Sequence, residues 1–434
     1  MHNFCSWLYL LFTLLCIPLN GQDKLSVEKA VENALTNNFQ VRVARNNALV
    51  QQTNNTAGNA GLLPEVNLNF GQNFNINNTK QEFFSGDIRQ GNNVNTSNLN
   101  SNIQLGWTVF DGLRMFINRD RLAELQSIGE LTLRFQMEST IAQVMSLFFQ
   151  IEQQQKRIET IREAIRFSQE RLQWVSVKFD AGTSSTLPVL QARVDINADS
   201  SMLIGQLQIL KSLEIQLNQT MGLNPDASFE YIPSGSVQSP ELTELMVGAQ
   251  ERNSWLQLAE KEIKLAELNI KSWQSNKYPT VDINAGYNFS RLQAEIGILK
   301  FNQNAGVLFG LTGRWNLFNG WNNKREIQVA RLGLENSKLE KESAILEWKA
   351  NLLNTYQQFT TAKSREKLEE SNIVLAKENL NISSEKLKSG TITPIEVRQA
   401  QMNLIDAEFR KISASFDQKI SFLNLQQLTG KLLQ

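Results

Sequence analysis

Four stretches of the chain alternate between apolar and polar side chains residue by residue. In EVNLNFGQNFNI, residues 65–76, Val66, Leu68, Phe70, Phe74 and Ile76 take one parity, and Asn67, Asn69, Gly71, Asn73 and Asn75 take the other. Residues 99–110 carry Leu99, Ile103, Leu105, Trp107 and Val109 in phase, and residues 280–290 carry Val281, Ile283, Ala285, Tyr287 and Phe289. In 306–318 the apolar set is Val307, Phe309, Leu311, Trp315 and Leu317. A period of two predicts strands with one apolar face. Two readings stay open: a soluble antiparallel sheet with one face on a core, or strands of a membrane barrel with apolar residues towards lipid. On the second reading Trp107 and Trp315, near the strand ends that lead into helices, belong to an interfacial aromatic girdle. Arg314 shares the polar parity with Thr312 and Phe318 and is predicted to face water in the lumen. Four strands cannot close a barrel, and an open edge is not tolerated in lipid, so chains must pool strands. Two chains give about eight strands, a barrel filled by its own side chains, and three give about twelve, with room for a lumen.

The second pair of elements is helical. No proline occurs from Leu113 to Phe179, and Ile158, Ile161, Ile165, Leu172, Val175 and Phe179 fall at heptad-like spacing. Ile373, Ala376, Leu380 and Leu387 hold equivalent places later, with Glu366 and Glu369 where isoleucines stand in the first half. Long helices are expected over 113–180 and 321–388, each a rod on the order of 100 Å. They stop at DAGTSSTLP (180–188) and KSGTITP (388–394), where Gly182 and Gly390 fit left-handed caps and a following proline opposes continuation. Return helices are expected over 189–221 and 395–429, shorter helices near 26–59 and 241–277, and a linker at 223–240.

The chain reads as a duplication. A displacement of 208 residues carries Trp107, Phe110 and Gly112 onto Trp315, Phe318 and Gly320. The same displacement carries Lys178, Gly182, Thr183, Val189 and Gln191 onto Lys386, Gly390, Thr391, Val397 and Gln399. Nearer the start of each half the displacement is 215, which carries Asn38, Pro64, Val66 and Phe74 onto Asn253, Pro279, Val281 and Phe289. The difference of seven is expected in a longer inter-strand loop. The predicted repeats span 22–238 and 239–434.

Composition narrows the function. Lys+Arg and Asp+Glu both number 43, so nothing in the charge balance points to nucleic acid. Trp7–Ile17 is too short to span a bilayer and matches the core of a secretory signal peptide over 1–21, although no Lys or Arg precedes it. Cys16 resembles a lipoprotein cysteine, but the bulky Leu15 precedes it. Removing 1–21 takes away His2, Cys5 and Cys16, the whole complement of His and Cys. Imidazole acid–base chemistry, thiol nucleophiles and His/Cys metal sites then fall away. No nucleotide-binding glycine motif occurs. The expectation is a non-enzyme without cofactor or metal.

The W-x-x-F-[DN]-G strand ends, the doubled strand–helix order and the G-T-x-x-x-x-x-V-x-x-A turns together resemble the TolC family of outer-membrane channel proteins, over essentially the whole mature chain. The resemblance implies a mixed α/β membrane protein, a homotrimer whose four strands per chain pool into a 12-stranded β-barrel in the outer membrane of a Gram-negative bacterium. A coiled-coil α-helical barrel would continue it into the periplasm. It implies a passive exit duct for efflux or type I secretion, with a periplasmic adaptor, an inner-membrane pump and outer-membrane lipid as partners. It further implies that the turns are the adaptor contact, here Gly182, Thr183, Leu187, Pro188, Leu387, Gly390, Thr391, Ile392 and Pro394. Two acidic positions that ring the pore in family members fall on Glu396 and Gln399, with Pro188 and Gln191 in the first half; the polar locking partners fall on Leu187, Leu387 and Ile392. Closure is then expected to rest on apolar packing of Leu187 and Leu387. The competing reading is a coiled-coil scaffold without a pore, which leaves the four alternating strands unexplained.

Overall fold

The computed structural model describes residues 23–235 and 239–433. The expected signal segment, with His2, Cys5 and Cys16, lies outside them. In order, the elements are β1 (Asp23–Leu25), α1 (Val27–Asn37), α2 (Phe39–Asn54), β2 (Glu65–Glu82), β3 (Ile88–Phe110), α3 (Arg114–Asp180), α4 (Thr186–Thr220) and β4 (Phe229–Tyr231). Then come α5 (Leu242–Met246), α6 (Ala249–Arg252), α7 (Ser254–Ser275), β5 (Thr280–Ala294), β6 (Phe301–Arg314), α8 (Asn322–Lys388) and α9 (Pro394–Leu428). The long helices α3 and α8 have 67 residues each, and the return helices α4 and α9 have 35 each. No helix among the described residues is long and apolar enough to cross a membrane. Two compact units emerge, each drawing on both halves of the sequence: one takes residues up to Arg45, Leu133–Trp255 and the chain from Ile345 on, the other Asn46–Thr132 and Leu256–Ala344.

The first unit is helical around one main core. Leu25, Ala30, Ala34, Phe148, Ile151, Leu217, Met221 and Leu423 are buried together there, with Tyr231 edge-on to Phe148. The segment expected as one helix near 26–59 is two, because Asn38 breaks it. Its Oδ1 accepts from the Gln40 and Val41 amides, and its Nδ2 donates to Thr220 O at 2.8 Å. Short Asx hydrogen bonds of this kind compete with the helical ladder. The corresponding Asn253 donates to Leu428 O at 3.0 Å, and it and Gly248, at φ 64°, divide the segment expected as one helix near 241–277 into α5, α6 and α7. The expected linker 223–240 contains β4, parallel to β1. Ser234 ties it down further, its Oγ donating at 2.8 Å to the buried Glu152, which also accepts from Lys419.

The second unit holds an antiparallel sheet in the order β2-β3-β5-β6. The strands differ from their predicted extents of 65–76, 99–110, 280–290 and 306–318. β2 and β3 run on past the end of β5 as a longer hairpin, and the intervening turn is short, closed by Phe83 N donating to Asp87 O. The seven extra residues therefore lengthen the ladder rather than a loop. A ladder grows by facing pairs, two residues at a time, so an odd number leaves one residue over. It is taken up by a bulge between Asn77 and Thr79, where Asn93 stands at φ 55° and its amide donates to Asn78 Oδ1. A second irregularity, between Thr108 and Phe110, removes Val109 from the apolar row and sets Phe110 opposite Val281. β6 ends at Arg314, so Trp315, Leu317 and Phe318 lie beyond the strand and share no face with Thr312.

Candidate functional site

In the sheet, register brings the predicted faces into line across all four strands. Leu68 faces Ile103, which faces Tyr287, which faces Val307. Val66, Leu105, Ala285 and Phe309 make the next row, and Trp107, Ile283 and Leu311 the one after. The opposite face is built from amides, hydroxyls and glycines: Asn69, Asn102, Asn288 and Gly306 in one row, Gly71, Asn100, Ser290 and Asn304 in another. Asn69 donates to Asn102 Oδ1 at 2.8 Å across it. Charge enters this face where β3 ends and β5 begins, at Asp282, which accepts from Thr108 Oγ1 at 2.6 Å, and at Arg314 opposite Thr280. The apolar side chains are exposed within the single chain, Phe70 at 72 % and Phe309 at 86 %. The outer edges of β2 and β6 are unpaired among the described residues.

The W-x-x-F-[DN]-G motif is a device for leaving a strand and starting a helix. The indole Nε1 of Trp107 donates to Leu62 O at 3.1 Å, and that of Trp315 to Lys277 O at 3.0 Å, each tying the strand end to the segment that feeds its neighbour. Asp111 Oδ1 accepts from Met115 N, and Asn319 Oδ1 from Asn323 N, so the fifth motif residue satisfies helix-start amides. Two successive left-handed residues lie between strand and helix: Gly112 and Leu113, both at φ 72°, and Gly320 and Trp321, at 67° and 66°. A Cβ on Gly112 would stand 2.4 Å from Ser275 O, so glycine is required there for contact as well as conformation.

At the other end of the long helices, in the helical unit, the G-T turns are matching C-caps. Thr183 N donates to Lys178 O and Thr391 N to Lys386 O, both at 2.9 Å, while Gly182 and Gly390 stand at φ 70° and 78°. Each threonine hydroxyl donates to the same carbonyl as its amide, at 2.9 and 3.0 Å. Lys178 Nζ also donates to Leu387 O at 2.8 Å, placing an ammonium on a last-turn carbonyl of α8. Both return helices begin earlier than expected: Pro188 sits inside the first turn of α4 and Pro394 opens α9, positions that need no amide donor. A cavity of about 300 Å³ lies between these elements, lined by Phe167, Trp174, Val175, Pro188, Leu387 and Ile392, with Lys178 and Lys388 among its cations.

Glu396 takes part in a capping box. Its Oε2 accepts from Thr393 N at 2.7 Å and Thr393 Oγ1 at 2.9 Å, and its own amide donates to Thr393 Oγ1. The Thr393 amide, then its hydroxyl, holds the carboxyl below its ordinary pKa. Gln399, one turn on, is exposed and donates to Asn403. Gln191 sits half-buried on α4, with no hydrogen bond to Glu396 or Gln399 among the described residues. Leu387 and Ile392 pack against the Leu380, Val397 and Ala400 cluster, whereas Leu187 is 60 % exposed and outside it. An ionic network also joins the helices near the turns. Arg398 meets Asp199 at 2.6 and 2.8 Å, Arg171 pairs with Asp195, and Ser168 donates to Asp199 at 2.9 Å. Gln401 joins Ser168 and Ala164 O, so α3, α4 and α9 are linked. Arg171, Asp199, Ser168 and Gln401 are all buried. The Asp199 hydrogen bond raises the Arg398 pKa, while burial lowers that of Arg171 against the pull of Asp195. One signal was available in sequence, the four-residue spacing of Asp195 and Asp199 on one helix face.

A sheet with one continuous apolar face and two open edges, joined to helices of 67 residues, defines a class of strand-and-helix membrane channel subunits. The sequence model of the outer membrane efflux protein family matches residues 30–223 and 245–431, and the chain belongs to that family, one of efflux proteins of the outer membrane rather than enzymes. It is 21 % identical over 423 residues to the outer membrane efflux protein BepC of Brucella suis biovar 1 (strain 1330), covering 95 % of this chain and 88 % of that one. It is 20 % identical over 363 residues to the outer membrane protein TolC of Escherichia coli (strain K12), covering 80 % and 73 %. In fold it is similar to CusC, with a TM-score of 0.77 at 15 % identity over 93 % of this chain and 92 % of CusC. It is likewise similar to VceC of Vibrio cholerae, with a TM-score of 0.76 at 15 % identity over 93 % and 96 %.

Replacing Asp199 by alanine leaves Arg398 with the neutral Gln401 Oε1 at 3.3 Å and, as its carboxylate, the more distant Asp195 at 3.8 Å. Loss of one partner from a buried pair costs about 3–5 kcal/mol, and urea unfolding of the detergent-extracted protein measures it. Glu396 gives a pH signature. Its depressed pKa means that its contribution to stability is complete above the ordinary carboxyl range and is lost as pH falls through the lowered value. The difference in thermal stability between wild type and Glu396→Gln should shrink on acidification; a difference unchanged between neutral and strongly acidic pH would count against the capping box.

Proposed function

We propose that the chain is one subunit of a passive exit duct in the outer membrane, built from three copies. The observation that carries this reading is the alignment of apolar rows across four strands whose outer edges are unpaired. In hydrocarbon those edges require strands from other copies, and twelve strands is the smallest pooled number that leaves a useful lumen. The apolar rows face lipid, Trp107 and Trp315 lie in the girdle, and the amide-rich face lines water, with Arg314 at the mouth where the strands meet the helices. The long helices of the three copies form a helical barrel in the periplasm. The two halves, 22–238 and 239–434, are copies of one ancestral unit. The paired bonds Trp107–Leu62 and Trp315–Lys277, and Asn38–Thr220 and Asn253–Leu428, support this.

The chain carries no nucleotide-binding motif, so transport energy comes from an inner-membrane pump through a periplasmic adaptor. The adaptor contacts the turns at Gly182, Thr183, Leu187, Pro188, Leu387, Gly390, Thr391, Ile392 and Pro394, where the cavity between the turns offers an apolar surface rimmed with cations. Three copies of Glu396 converge at the pore mouth, with Gln399 and Gln191 nearby. The capping contacts from Thr393 use only Oε2, which leaves Oε1 for a cation.

The detergent-extracted particle is expected to contain three chains; a protein mass of one or two ends this reading. Divalent cations added from the periplasmic side should block the reconstituted channel, and Glu396→Gln should relieve the block. Equal block of wild type and variant would remove Glu396 from the constriction.

A further inference from the structure

One charge interrupts the apolar face of the sheet. Arg291 shares the parity of Ile283, Ala285, Tyr287 and Phe289 along β5, facing Leu99 on one side and Gln303 on the other. From the row of Val281 to the row of Gln293, no other side chain on this face is ionised among the described residues. Asp282 and Arg314 belong to the amide face. The Arg291 guanidinium meets no carboxylate and no hydrogen-bond acceptor among the described residues. It lies over the ring of Phe301, with Cζ 5.4 Å from the centroid.

The depth of this cation follows from the ladder. From Ile283, which faces Trp107, to Arg291 the strand advances roughly 27 Å, or about 20 Å along the membrane normal at a barrel tilt. A lipid-facing apolar band is about 25 Å tall. With Trp107 in the girdle at the helix end, Arg291 falls at the opposite rim, where hydrocarbon gives way to headgroups. Composition changes at the same level. The row before it, Phe70, Ser101, Phe289 and Ala305, lacks amide side chains, and its own row brings Gln72 and Gln303. The row beyond brings Phe74 and Phe301. Aromatic residues gather at both rims of a membrane barrel, so these two mark the second girdle. An arginine on a lipid face costs most at mid-depth and least at the rim. Five donors unmatched within the chain call for an anion there.

We infer that Arg291 binds the phosphate of a lipid headgroup in the outer leaflet. This rests on the barrel proposed above and adds a ligand to its outer surface. A planar guanidinium meets two phosphate oxygens at once. Gln303, directly opposite, brings a free amide to the same headgroup, whereas the Gln72 amide is engaged, donating to Ser97 Oγ at 2.8 Å. Phe301 covers one face of the guanidinium and leaves the donor-bearing edge open. Below the phosphate, the acyl chains lie along Phe289, Tyr287 and Val307.

Titration of the detergent-extracted particle with bisphosphorylated lipid A, read by native mass spectrometry, tests this. Wild type should bind the lipid saturably. Arg291→Gln, which matches the amides beside it, should weaken binding about tenfold, the loss of one charge-assisted contact. Arg291→Lys keeps the charge without the fork and should fall between the two. Arg314→Gln removes a charge from the amide face at the other end of the strands and should bind as wild type does. Lipid A stripped of its phosphates should bind wild type no more tightly than the phosphorylated lipid binds Arg291→Gln. Equal binding of phosphorylated lipid by wild type and Arg291→Gln overturns the site. An equal loss in Arg314→Gln reduces the effect to net charge and overturns it too. Equal binding of stripped and phosphorylated lipid by wild type leaves acyl-chain adhesion alone. Displacement of the lipid by inorganic phosphate assigns Arg291 to a soluble anion instead. Heat-dependent migration verifies that each variant has folded. Release of the protein from membranes by alkaline carbonate without detergent would end the barrel itself, whatever Arg291 does.

Discussion

A strand edge is a row of unpaired amides and carbonyls, and hydrocarbon supplies nothing to bond them. That one constraint organises the molecule. Among the described residues the sheet has two such edges, on β2 and β6, and its apolar face lacks a covering layer. Most soluble folds answer exposed apolar rows with a helix packed across them. Here both helices that follow hairpins leave the sheet, each through a pair of left-handed residues that direct the chain away from the strand. Pairing with other copies, as proposed above, is the remaining way to satisfy the edges.

Strict alternation and the absence of proline made element type and order legible in the sequence, and the apolar sets lined up across strands largely as read. Boundaries were legible only where a residue imposes its own geometry. Gly182 and Gly390 ended their helices because the left-handed cap suits glycine. Pro188 misled, since a proline within a first turn costs no hydrogen bond and so does not mark the start. Trp315 and Leu317 continued the parity of β6 past its last paired residue, because alternation records side-chain chemistry rather than backbone pairing. Val109 fell out of line for a related reason: an irregularity shifts phase without altering composition.

The turn region was harder to read. Arg171 and Arg398 come from helices distant in sequence from the Asp195–Asp199 pair, and all four look like the ordinary surface charges of coiled helices, yet they meet in a largely buried network. The shared helix face of Asp195 and Asp199 was the one hint, and it did not say which cations would meet them or that water would be lost. Glu396 was singled out for its family position, and its immediate structural work proves local, closing the start of α9 with Thr393. The repeated motifs are alike in this respect. Trp, Asp or Asn and Gly at the strand ends, and Gly-Thr at the turns, are arrangements for satisfying backbone groups where a long helix begins or ends. Their recurrence in both halves reflects a need that arises twice, independent of any cargo.

The bulge beside Asn93 has an evolutionary reading. In a hairpin whose ends are fixed in a sheet, an insertion of even length can disappear into added rungs. An odd one can do so only if the turn also changes by an odd number of residues, and otherwise it leaves a lasting irregularity in one strand. Parity thus works as a historical marker: comparing hairpin lengths among relatives should sort their insertions into those that healed and those that scarred, from backbone geometry alone.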